Sequence, residues 1–144
     1  MSMKASKTFS YSMDVAWQAL HRTSEIEIEE NATIGQIDET TWIARVQEDG
    51  DGTASVSTYH ATFDEAEHIV RIEGTNPNND DRDHLILTLT EAAGGVELTA
   101  ELQFDFGLNL FARAATKLFG KIALEAMSER IFTSFDKLCR EISA

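Results

Sequence analysis

A chain of 144 residues, 42% hydrophobic and 26% charged, matches one domain, residues 1–144, that buries most of the apolar surface its unfolded form exposes. Its 25 acidic against 12 basic residues leave a formal charge of -13, which repels nucleic-acid phosphates and anionic lipid surfaces and so argues against both as partners. The single cysteine, Cys139, allows no intrachain disulfide, no run approaches the roughly 18 apolar residues of a membrane span, and no charged and then apolar leader opens the chain; a reducing cytoplasm is the expected location.

Residues 4–11 read as a strand, with Ala5, Phe9 and Tyr11 at even spacing and Ser6, Thr8 and Ser10 between them. A short helix follows, capped by Ser12 or Asp14, carrying Val15, Ala16, Ala19 and Leu20 at helical spacing and ending by Arg22 or Thr23. In residues 25–30, Ile26 and Ile28 alternate with glutamates, the pattern of extended chain. From residue 32 to 106 the period is two, broken by turns, which predicts an antiparallel meander. Its strands are 32–38, 41–48, 54–63, 69–74, 84–90 and 96–106. The Asp49, Gly50, Asp51, Gly52 cluster and Ala93, Gly94, Gly95 close hairpins, and the longest loop, 75–83, holds Pro77 among Asn and Asp. With the opening strand the count is seven.

Alternation assigns the inward face. Val96, Leu98, Ala100, Leu102, Phe104 and Phe106 share one side of the last strand, and Leu85, Leu87 and Leu89, Val70 and Ile72, and Trp42, Ala44 and Val46 agree with it. Strand 54–63 stays open, because one phase offers Val56, Thr58, His60 and Thr62 and the other Ser57, Tyr59, Ala61 and Phe63. The chain closes on a helical pattern from about 108 to 142. Its first stripe is Phe111, Ala115, Leu118, Phe119, Ile122 and Ala126; its second, Met127, Ile131, Phe135, Leu138 and Ile142, lies roughly 160° further round the axis. That drift predicts a bend within a turn of Gly120, so that 111–119 cover a cavity and 131–142 pack elsewhere. A straight helix would instead leave the second stripe for a second copy of the chain, as a homodimer.

Three stretches carry a family resemblance: Ser12-Met13-Asp14-Val15-Ala16-Trp17-Gln18-Ala19-Leu20, the Phe63-Asp64-Glu65-Ala66 turn, and Gly94-Gly95-Val96-Glu97-Leu98-Thr99. In this order of elements the whole chain resembles the START-like, Bet v 1-like (SRPBCC) helix-grip superfamily, nearest to its bacterial polyketide cyclase/dehydrase and CoxG-like members. The resemblance implies an α+β fold, a curved antiparallel sheet wrapped around a long C-terminal helix with a cavity for an apolar or amphipathic small molecule between them. Where that family usually has proline, this chain has Ser12, and residues 25–30 replace a second short helix.

Chemical motifs are sparse. Asp80, Asp81, Asp83 and His84 fit loop chemistry better than a metal site, Asp49 to Gly52 lacks the remainder of a calcium loop, and His21, His60, His68 and His84 show no paired ligand spacing, so neither metal nor cofactor is expected. Cys139 reads as a packed apolar residue. The candidate lining is Trp42, Thr58, His60, Val70, Ile72, Leu87, Leu102, Phe104, Phe111, Ala115 and Phe119, with His60 the one candidate general base because an imidazole titrates near working pH. The leading expectation is a binding or carrier module for a hydrophobic molecule, followed by a cyclase-, dehydratase- or isomerase-type enzyme in the same cavity, and then a protein-interaction adaptor.

Overall fold

The computed structural model describes the backbone of residues 2–28, 32–47, 54–76, 79–104 and 121–144, and the side chains of 4–28, 32–45, 56–75, 84–103 and 125–144. Seven strands form one antiparallel sheet in the order β1-β7-β6-β5-β4-β3-β2. They are β1 (Ser2–Phe9), β2 (Thr33–Gln36), β3 (Thr41–Gln47), β4 (Ala54–Asp64), β5 (Ile69–Asn76), β6 (Asn79–Ala92) and β7 (Gly95–Phe104). Between β1 and β2 come helix α1 (Met13–His21) and a 3-10 turn, Thr23–Glu25; the chain ends in helix α2 (Lys121–Ser143).

The helix-grip expectation holds, and the sheet follows the alternation that predicted it. Val96, Leu98, Ala100 and Leu102 of β7 are buried beside Leu85, Leu87 and Leu89 of β6, Val70 and Ile72 of β5, and Trp42 and Ala44 of β3. Residues directly opposite one another across an antiparallel ladder share a face, so one inward phase propagates from strand to strand. Gly95 opens β7 where no side chain fits: a Cβ there would meet the Phe9 carbonyl oxygen at 1.9 Å. Ser12 takes the helix-starting position, its Oγ accepting the Val15 N–H at 3.2 Å as N-cap of α1.

One element differs from expectation. Instead of a nine-residue loop over 75–83, β5 runs to Asn76 and β6 restarts at Asn79, with Asn76 opposite Asn79 and the register shifting between Gly74 and Asn76. Asn and Asp favour turns, but the ladder is made by backbone groups, and a bulge beside a glycine absorbs the irregularity while most residues stay paired. The expected bend near Gly120 and the 49–52 hairpin lie outside the described residues.

α2 brings Met127, Ile131, Phe132, Phe135, Leu138 and Cys139 into the same core as α1 and the sheet. Phe9 stands edge-on to Phe135 with centroids 5.0 Å apart and to Phe132 at 6.1 Å. Tyr11 Oη donates to Asp136 Oδ1 at 2.8 Å, and Arg22 reaches Glu141 at 3.3 Å, so the helix is tied to both ends of α1.

A cavity between the 24–28 segment and strands β2 to β4

The segment after α1 is held away from the sheet by specific contacts. Arg22 forks onto Glu25, Nε to Oε2 at 2.6 Å and Nη2 to Oε1 at 2.8 Å, which fastens the 3-10 turn. Thr23 Oγ1 caps the Leu20 carbonyl at 2.5 Å, and Ser24 Oγ donates to Gln36 Oε1 on β2 at 2.5 Å. On the other side, Ser134 Oγ of α2 accepts the Glu27 N–H at 2.9 Å while Arg130 Nη2 donates to the Ile28 carbonyl at 3.1 Å. With its backbone so fixed, the segment points Ile26 and Ile28 inward, 3% and 5% exposed, and Glu27 outward.

Behind it lies a cavity of about 440 Å³. Among the described residues its apolar wall is Ile26, Ile28, Ala32, Ile34, Trp42, Ala44 and Tyr59, and its polar wall is Ser24, Glu25 and Glu27. Trp42 and Tyr59 are direct partners across β3 and β4, and their rings stack at 5.7 Å with 23° between the planes. The volume is that of a small-molecule site, and the balance of apolar wall with a few polar groups is the usual one.

Of the sequence-predicted lining, Trp42 belongs to this cavity. Val70, Ile72, Leu87 and Leu102 do face inward, but as fully buried core beyond the cavity wall. The Phe104 side chain, Phe111, Ala115 and Phe119 lie outside the described residues. His60 and Thr58 are corrections. Register decides the open phase of β4: Trp42 faces inward and pairs with Tyr59, so Ser57, Tyr59 and Ala61 share its face and the alternate residues turn out. His60 is exposed on the outer face, where its Nδ1 pairs with Thr41 Oγ1 at 3.0 Å, and the reading of it as a general base in the cavity ends there. Thr58 is half-buried on that same outer face.

Sequence reasoning missed Tyr59, Ala44 and the Ile26/Ile28 pair as wall residues. The signal was present in Ile26 and Ile28 alternating with glutamates, and in the cross-strand partner of Trp42.

The electrostatics are quiet. Arg22, and more weakly Lys137, hold the Glu25 carboxyl below its usual range. Burial pushes the Cys139 thiol up to about 12, which favours the neutral thiol packed as an apolar group. Among the described residues the buried polar side chains other than Tyr59 are Thr23, Ser57 and Ser128; no carboxylate, imidazole or amine is buried on the concave face. Ser57 Oγ, Ser128 Oγ and Arg130 Nε are buried with no hydrogen-bond partner. Ser57 stands opposite Ala44 of the wall and shares its face. An unmet buried hydroxyl destabilises by about 1–3 kcal/mol, so Ser57→Ala should raise the urea midpoint of the unliganded protein by the equivalent of about 1 kcal/mol. An unchanged or lowered midpoint would mean that the hydroxyl is satisfied.

No family model matches the chain, and no curated protein does either. Solved structures do. A protein of Thermus thermophilus aligns over 100% of both chains at 11% identity with a TM-score of 0.66. The Zhui aromatase/cyclase from Streptomyces sp. R1128 aligns over 99% of this chain and 93% of its own, at 15% identity and a TM-score of 0.54. Ara h 8.0201 aligns over 99% and 97%, at 11% identity and a TM-score of 0.58. Sheet order, the position of the two helices and these end-to-end alignments agree: the chain has the START-like, Bet v 1-like helix-grip fold.

Proposed function

We propose that this chain binds a hydrophobic or amphipathic small molecule in the cavity between the 24–28 segment and strands β2 to β4, and that it does so as a carrier. The observation that carries this reading is the wall itself: about 440 Å³ of space bounded mainly by isoleucine, alanine, tryptophan and tyrosine. Such a wall gives affinity by removing hydrocarbon from water, which is non-directional and scales with area. Chemistry on the ligand would need an acid or base aimed at it, and the described residues bury none there. The likeness to an aromatase/cyclase is one of fold, and it supports a cavity of this kind without supplying a catalytic group.

The test is a homologous series of straight-chain alcohols followed by isothermal titration calorimetry. Each buried methylene is worth about 0.8 kcal/mol, so affinity should tighten roughly fourfold per added carbon until the cavity is full, then stop rising. The heat-capacity change of binding should be negative throughout. Absence of binding at every chain length, with a solid core by thermal shift, would leave the fold as a scaffold for protein contacts instead.

A further inference from the structure

We propose that two copies of this chain associate edge to edge, β2 against β2, in antiparallel pairing about Gly35. The backbone pattern sets which groups are free to pair. Ile37 N–H donates to the Thr41 carbonyl at 2.9 Å, and the register places Gly35 opposite Ile43 and Thr33 opposite Arg45. Hydrogen-bonded residues alternate along an antiparallel ladder, so Thr33, Gly35 and Ile37 turn their N–H and C=O groups to β3 while Ile34 and Gln36 turn theirs to the open side. β2 ends the sheet, all its residues are exposed, and those edge groups have no backbone partner among the described residues.

An open edge pairs with other strands unless charge, proline or a bulge blunts it. The opposite edge, β1, carries exposed Lys4 and Lys7. Residues 32–37 hold no charge and no proline, in a chain that is 26% charged. Ile34 and Ile37, 42% and 57% exposed, are the exposed large hydrophobic side chains among the described residues. Ile34, opposite Ala44, is on the concave face, and Ile37, three residues on, is on the outer one. A helix laid on one face would cover one of them, whereas an added strand, with side chains on both faces, covers both. Symmetry and charge identify that strand as a second copy. Pairing centred on Gly35 sets Ile34 opposite Gln36 of the other copy and Gln36 opposite its Ile34, so every free N–H meets a free C=O, and Ile37 lies opposite Thr33. At the axis the two Gly35 residues meet at the close spacing of a non-hydrogen-bonded pair, about 4.5 Å, with no side chains to crowd it. No like charges face one another across these pairs, so two chains of net charge -13 can approach here, and a cationic peptide finds no carboxylate on this strand.

So short a ladder belongs with weak interfaces, and sedimentation equilibrium should show monomer and dimer exchanging with a Kd on the order of 10–100 µM. Raising salt should tighten it by screening the net charge. In the single chain a side chain at position 35 meets nothing within 4 Å and Gly35 has no positive φ, so variants there should melt as the native chain does. Gly35→Glu sets two carboxylates directly opposite each other and should weaken the dimer about fivefold. Gly35→Cys should form a disulfide between chains on mild oxidation, because the spacing at the axis lies within the roughly 4.4–6.8 Å between Cα atoms that the bond needs. Thr33→Cys, opposite Ile37 of the other copy, should not, and the native Cys139 is buried. A chain still monomeric at about 1 mM would overturn the proposal. So would a dimer that Gly35→Glu leaves as tight as the native one, or cross-linking of Thr33→Cys as ready as that of Gly35→Cys, because the contact would then lie on another surface.

Discussion

Replacing Ala44 by phenylalanine is expected to weaken ligand binding by a factor of 100 or more while the protein stays folded with a melting temperature close to the native one. Ala44 is 2% exposed, lines the cavity, and lies between Ile34 on β2 and Ser57 on β4 in the cross-strand register. Its methyl group leaves the space that an aromatic ring would take. A ring there would displace several methylenes of ligand, and at about 0.8 kcal/mol each, four of them account for more than two orders of magnitude. In a close-packed interior the same change would force neighbours off their rotamers and destabilise by about 1–3 kcal/mol. Thermal denaturation together with calorimetry separates the two: a loss of stability of that size with ligand binding retained would show that Ala44 borders packed core and that the cavity lies elsewhere.

Phe135→Ala is expected to destabilise the protein by about 3–5 kcal/mol, a large part of the 5–15 kcal/mol that holds a typical domain together. Phe135 is fully buried and is one of the largest such side chains, packed edge-on to Phe9 at the end of β1. Truncation removes a ring from the junction of α2, α1 and the sheet, and the neighbours can refill only part of the void. The urea midpoint should fall accordingly. Glu129→Ala, exposed on the same helix, is the control and should change stability by no more than about 0.5 kcal/mol. A Phe135→Ala midpoint as little moved as the control's would mean that the second stripe of α2 does not anchor the helix to the sheet.

The experiments fall on different parts of the molecule because α2 and the cavity wall have different partners. Among the described residues, Met127, Ile131 and Phe135 join the core, whereas the wall is built from the 24–28 segment and β2 to β4. α2 reaches the site through the backbone of that segment, by the Ser134 and Arg130 contacts to Glu27 and Ile28. Contacts of this kind, made to the backbone of a neighbouring segment, are not found by asking which residues of a helix face inward.

What the sequence determined by itself is whatever has a short range. The run from Val96 to Leu102 alternates because neighbouring side chains on a strand point to opposite faces, so burial of one side is written into the order of residues. Ser12 caps α1 because its hydroxyl reaches the N–H three residues on. The apolar stripe of Met127, Ile131, Phe135 and Leu138 is a property of one helix turn after another. Only the tertiary structure decided the rest. β4 offered two phases, and the pairing of Tyr59 with Trp42 across the ladder chose between them, turning His60 out to solvent and Ser57 in. Asn76 and Asn79 are neighbours in a hairpin because the ladder from Gly74 and Asp83 reaches them, whatever their side chains prefer. The cavity belongs to this second kind, since it is the space left when a segment anchored to α2 meets three strands contributed by residues 33–64. Empty volume is a difference between distant surfaces, and no local pattern of residues records it.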